Sequence, residues 1–155
     1  VLDDTYLGLA DDNRWSGPGV RAYYFAGDVG LVAAEHARHI AIDLPSGVED
    51  RIERSVFRVP IRLERVLALT DPVVVAAMGA GEINSWILDL VATQAAANYL
   101  IAQVPGLEAL VVPSVAFLDQ HHRFNVVAYR DAIDPSAVFG PPTFDRDIVL
   151  NATGT

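Results

Sequence analysis

Apolar and polar positions recur along the chain with periods that predict most of its elements. The aromatic, alternating run "RAYYFA" at 21–26 predicts a short strand. "AGD" at 26–28 forms a turn, and Asp28 stands as N-cap of a helix over 29–39 made almost wholly of apolar and small residues. Pro45 and Gly47 punctuate a loop at 42–51. The most regular alternation lies at 55–69 and predicts one long strand. In it Ser55, Phe57, Val59, Ile61 and Leu63 share one face, with Arg58, Pro60, Arg62 and Glu64 on the other. Pro60 has no N–H for a ladder and marks an edge or bulge.

Thr70 or Asp71 then caps a short helix that opens on Pro72. A loop at 79–85 leads to the longest predicted helix, 86–104, ended by Pro105-Gly106. Strands follow at 107–114, 124–130 and 145–150. Helices and strands mix without a regular βαβ alternation, which indicates an α+β fold. No repeat or linker interrupts the 155 residues, so one compact domain over 1–155 is expected.

Composition narrows the chemistry. There is no cysteine, which removes disulfides and thiolate catalysis and permits a reducing cytoplasm. All eleven basic residues are arginine, so lysine-based mechanisms are absent as well. A net charge of −9 disfavours binding to a nucleic-acid backbone. No apolar run reaches the roughly eighteen residues of a membrane helix. No signal segment opens the chain. The missing initiator methionine leads us to expect residues before Val1.

Four positions stand out one by one. Glu35 interrupts the apolar helix; it lies on a wet edge with Arg38 and His39, or it needs a partner or a cleft, because an unpaired buried carboxylate costs several kcal/mol. Arg14, in "DDNRWSGPG", has the fork geometry to clamp a phosphate or carboxylate, or pairs with Asp11 or Asp12. Tyr23 and Tyr24 alternate along a strand, so one faces inward. Ser114 follows Pro113 at a strand end, where it meets a ligand or satisfies local backbone. No G-x-S-x-G elbow surrounds it, so a serine-hydrolase triad has no support. His36/His39 and His121/His122 lack the convergent ligand pattern of a metal site, and no metal is expected.

Taken in order, these residues form a set. Arg14-Trp15-Ser16-Gly17-Pro18-Gly19 is followed by Tyr24-Phe25-Ala26, then Ala34-Glu35, and distantly Val112-Pro113-Ser114 before a strand opening Phe124-Asn125-Val126-Val127. "LTDPVVVAAMG", the region of Trp86 and "TQAAA" at 93–97 add weaker agreement. The set resembles the RES domain, a family named for its arginine, glutamate and serine, from about Asp3 to Tyr129. The family commonly has Trp-Asn where this chain has Trp15-Ser16, and a strand before the arginine loop.

The resemblance implies a mixed, partly antiparallel sheet flanked by helices, similar to ADP-ribosyltransferases, and NAD+ as substrate. It implies cleavage of the nicotinamide–ribose bond by hydrolysis or phosphorolysis, with inorganic phosphate a possible co-substrate. It further implies a cytoplasmic toxin of a bacterial toxin–antitoxin pair, held inactive by an Xre-like antitoxin, without direct nucleic-acid or membrane binding by this chain. Glu35, Arg14, Tyr24 and Ser114 inherit the catalytic roles: Glu35 stabilises the ribosyl cation, Arg14 holds the pyrophosphate, Tyr24 stacks on or bonds the nicotinamide riboside, and Ser114 orients a hydroxyl or the carboxamide. Gln94 and Asn125 join Arg14, Tyr24 and Ser114 as substrate-binding candidates. The alternatives are transfer of ADP-ribose to a protein and a catalytically silent domain on the same scaffold.

Overall fold

Two strands that the alternation of 55–69 would fuse into one belong to different sheets. The computed structural model describes residues 4–5, 7–9, 12–43, 51–120 and 122–151, with side chains for all of these but 38–43, 51 and 151. In chain order the elements are β1 Ala22–Ala26, α1 Val29–Asp43, β2 Arg51–Arg58, β3 Val66–Ala68, α2 Pro72–Ala77, a 3-10 turn Ile83–Ser85, α3 Leu90–Gln103, β4 Ala109–Pro113, β5 Phe124–Tyr129, a second 3-10 turn Arg130–Ala132, α4 Pro135–Val138 and β6 Thr143–Asn151. Four strands form a sheet in the order β1-β5-β4-β3, antiparallel except for the parallel β4–β3 pair. β2 and β6 make a separate antiparallel ribbon with a bulge between Val56 and Phe57. The chain is thus one α+β domain with a mixed sheet.

The predicted strand 55–69 is corrected to β2 and β3 with a crossing segment between. Pro60 cannot donate, and its carbonyl accepts instead from Gly140 N at 2.8 Å, while Arg62 N donates to Val138 O at 2.9 Å. These bonds carry the chain from the ribbon to the sheet. The inward face changes with it: Val56 is buried and Phe57 is exposed in β2, whereas Val59, Ile61 and Leu63 of the crossing segment pack against the core.

The predicted helix 86–104 begins later, at Leu90. Asp89 caps it, its carboxylate accepting from Ala92 N at 3.1 Å, and Ile87 is fully buried in the turn ahead. α1 runs four residues past the expected end, to Asp43, and Asp28 caps it through Leu31 N at 2.9 Å. That extension takes in the first two residues of the predicted 42–51 loop, whose remainder up to 50 lies outside the described residues. Asp71, rather than Thr70, caps α2. Sequence periodicity gave no sign of α4, a single turn capped by Asp134, and placed β6 too short.

Strand parity divides the main sheet between two apolar clusters. One face presents Leu110, Val112, Val127 and Tyr129 to α3 residues Ala97 and Leu100, with Trp15, Leu69, Val75, Ile83 and Ile87 around them. Tyr23, Ala109 and Ala128 on the other face meet Ile133 and Phe139. Fully burying a residue such as Leu110 contributes about 1.5–3 kcal/mol. Tyr23 therefore answers the alternation as the inward tyrosine, edge-to-face with Phe139 at 5.1 Å between centroids. Tyr24 points to the opposite face, where the candidate site lies.

Candidate active site

Parity and helical spacing bring the site together from three directions. Tyr24 pairs with Val127, and Ala26 with Asn125, so Tyr24, Ala26 and Asn125 share one sheet face. On α1, Val32, Glu35 and His36 follow the i, i+3, i+4 rule onto one helix face. The loop ahead of β1 supplies Asp12, Asn13, Arg14 and Trp15. All of these line one cavity of about 420 Å³, together with Pro113 and Val115.

The arginine loop is tied down backbone group by backbone group. Gln94 Nε2 donates to Asn13 O at 3.0 Å, and Tyr129 Oη donates to Trp15 O at 3.2 Å. Trp15 N donates to Tyr24 Oη at 3.2 Å, and that hydroxyl shares a further 2.9 Å hydrogen bond with Ser16 Oγ. Arg14 Nη1 donates to Ile87 O at 2.7 Å, which fixes one arm of its fork. Gly17-Pro18-Gly19-Val20 then makes a tight turn, closed by Val20 N to Gly17 O at 3.0 Å. Proline at its second position and Gly19 at φ +82° suit a type II turn and return the chain to β1. Trp15, 3% exposed, anchors the loop edge-on against Trp86 at 6.0 Å.

Both tyrosines under this loop stay protonated at neutral pH. Tyr24 is 42% exposed over its whole surface, yet its hydroxyl end is enclosed, and burial pushes the phenol up while the Ser16 hydrogen bond partly opposes. For Tyr129 burial pushes the phenol far up, with the neighbouring Tyr24 adding to it.

Glu35 is held by two donors on one oxygen. Ser114 Oγ donates to Glu35 Oε1 at 2.6 Å and Asn125 Nδ2 donates to the same oxygen at 3.1 Å. Ser114 is fully buried, and its oxygen in turn accepts from Ala116 N at 3.1 Å. Of the two readings open for Glu35, partnered carboxylate in a cleft is the one its bonds describe. Arg38 and His39 have side chains outside the described residues.

Arg14, Tyr24, Glu35 and Asn125 thus converge on one cavity. Ser114 reaches it through Glu35 rather than lining it, and Gln94 stands behind the loop on Asn13. Two residues had no place among the sequence candidates. Tyr129 sits under the loop, and His36 lines the cavity with its Nε2 accepting from Arg54 Nε at 3.2 Å. The spacing of His36 from Val32 and Glu35 was the available signal for the latter. Among the described residues, no group of three His, Cys, Asp or Glu is placed to hold a metal ion. His121 lies outside them. No helix among them is long and apolar enough to cross a membrane.

The family model described as RES domain matches residues 4–148, nearly the whole chain. No curated protein matches it.

Proposed function

The chain belongs to the RES domain family, and on that premise we propose that it cleaves the bond between nicotinamide and ribose in NAD+. The observation that carries the reading is the Glu35 carboxylate, aligned by Ser114 and Asn125 in a cavity that also holds Arg14 and Tyr24. Nicotinamide in NAD+ is already cationic. When the C–N bond breaks, its electron pair returns to the ring nitrogen and the base leaves neutral, so no general acid is required. The demand falls on the ribose carbon, which becomes oxocarbenium-like.

Each residue has a part in meeting that demand. Glu35 offers a fixed negative charge to the developing cation, directly or through the ribose hydroxyls. Both described bonds fall on Oε1, which leaves Oε2 for the substrate. Ser114 and Asn125 position the carboxylate, so little reorganisation accompanies the reaction. Arg14, anchored on Ile87 O at the cavity wall, offers its guanidinium charge to the pyrophosphate. The Tyr24 hydroxyl is engaged by Trp15 and Ser16, which favours its ring face, rather than its oxygen, as the surface for the nicotinamide riboside.

The acceptor then bonds to the ribose carbon: water, losing a proton to solvent, gives ADP-ribose, whereas phosphate gives its phosphorylated form. On this reading the chain is the toxin of a bacterial toxin–antitoxin pair, acting on cytoplasmic NAD+ under the control of an Xre-like antitoxin. Incubation with NAD+, with and without inorganic phosphate, tests the chemistry by chromatography of nicotinamide and the ADP-ribosyl product. We expect stoichiometric nicotinamide. Intact NAD+ after prolonged incubation would overturn the proposal, and ADP-ribose attached to protein would redirect it to transfer.

A further inference from the structure

A second, larger cavity of about 710 Å³ adjoins the one at Glu35. Its walls are Leu69 and Thr70 at the end of β3, Pro72, Val75 and Ala76 of α2, and the segment from Gly79 to Asn84. Pro113 lines both cavities. Gly79 and Gly81, both at φ +67°, fold the segment back so that its backbone borders open space. Glu82 is the one charged side chain among the described lining residues.

Pro113 stands where the two spaces meet, and Arg14 belongs to the Glu35 side. The Arg14 guanidinium is fixed to the carbonyl of Ile87, in the turn directly after Ile83–Ser85. Pro113 is thus the wall that a molecule reaching from Glu35 into the larger cavity passes.

We infer that this larger cavity takes the adenosine half of the dinucleotide, with adenine against Pro72, Val75 and Ile83 and the ribose diol on Glu82. The inference rests on the proposed NAD+ reading, and three features support it. NAD+ has two nucleoside halves joined by a pyrophosphate, and the structure has two cavities that share the Pro113 wall, with Arg14 lining the one that holds Glu35. A concave, mostly apolar wall with few polar groups suits a flat base. A carboxylate accepts from both hydroxyls of a ribose diol and repels a 2′-phosphate, so NAD+ is preferred over NADP+.

The test uses fragments. AMP carries the adenosine half without nicotinamide, and nicotinamide mononucleotide carries the other half. Ala76 is exposed at the cavity wall, so Ala76→Trp fills the space without entering the core. Calorimetric titration is expected to show AMP binding weakened at least about tenfold in Ala76→Trp, with nicotinamide mononucleotide unaffected. Wild type is expected to bind NAD+ more tightly than NADP+, and Glu82→Gln to narrow that gap. AMP binding unchanged in Ala76→Trp would overturn the inference even if NAD+ is cleaved. Should Ala76→Trp lose both fragments through misfolding, an unaltered NAD+/NADP+ preference in Glu82→Gln would overturn it. AMP binding that responds to these variants, in a protein that releases no nicotinamide, would uphold the adenosine site and sink the cleavage reading instead.

Discussion

Ser114, buried without exposed surface, directs its hydroxyl proton at Glu35 Oε1 from 2.6 Å, joining the end of β4 to the middle of α1. A hydroxyl engaged in this way acts on a substrate through the carboxylate. Ser114→Ala is therefore expected to lower kcat about tenfold or more while KM for NAD+ stays close to wild type. A KM rise with kcat unchanged would instead place Ser114 against the substrate. The variant also leaves Ala116 N without its acceptor, a cost of about 1–3 kcal/mol that thermal denaturation will register.

Glu35→Gln keeps volume and one acceptor oxygen for Ser114 and Asn125 but removes the charge. We expect nicotinamide release to fall by at least about a hundredfold, with the circular dichroism spectrum and melting temperature little changed. Wild-type turnover by this variant would remove Glu35 from the mechanism.

For Arg14 the expected loss is in binding. Arg14→Ala should weaken NAD+ affinity by about ten- to a hundredfold, the range of one charge-assisted contact of roughly 1.5–3 kcal/mol. Arg14→Lys should restore little of it, because a point charge cannot hold the Ile87 carbonyl and a pyrophosphate oxygen together as a planar fork does. Unchanged affinity measured by titration calorimetry would count against the phosphate role.

Tyr129 gives a pH signature. Its phenol is pushed above the ordinary tyrosine value of 10.0 by burial, so the folded state favours the protonated form. The linked stability is fully present below about pH 10 and is lost as pH rises through the raised folded value. Tyr129→Phe should therefore flatten the alkaline limb of the stability curve. At neutral pH it should cost about 1 kcal/mol for the lost bond to Trp15 O. An unaltered alkaline limb would show that the phenol does not govern it.

Sequence by itself determined what is local. Asp28, the Thr70-Asp71-Pro72 run and Pro105-Gly106 marked helix ends because caps and proline act within a few residues. Helical spacing set Glu35 beside Arg38 and His39, whereas its cavity neighbours Val32 and His36 came from the structure. The ordered set of Arg14, Tyr24, Glu35 and Ser114 was legible as a family pattern. Alternation could not show that 55–69 divides between two sheets, since the polarity pattern continues across Pro60 while the hydrogen-bond partners change. Nor could it choose Tyr24 over Tyr23 for the cavity, because either parity buries one tyrosine.

Tertiary structure alone decided the bonds that make the site. Ser114 and Asn125 reach Glu35, Gln94 reaches Asn13, and Tyr129 reaches Trp15 across 79 to 114 residues of chain. Contacts at that range follow from strand order, β1 against β5 and β5 against β4, and no short-range periodicity encodes that order.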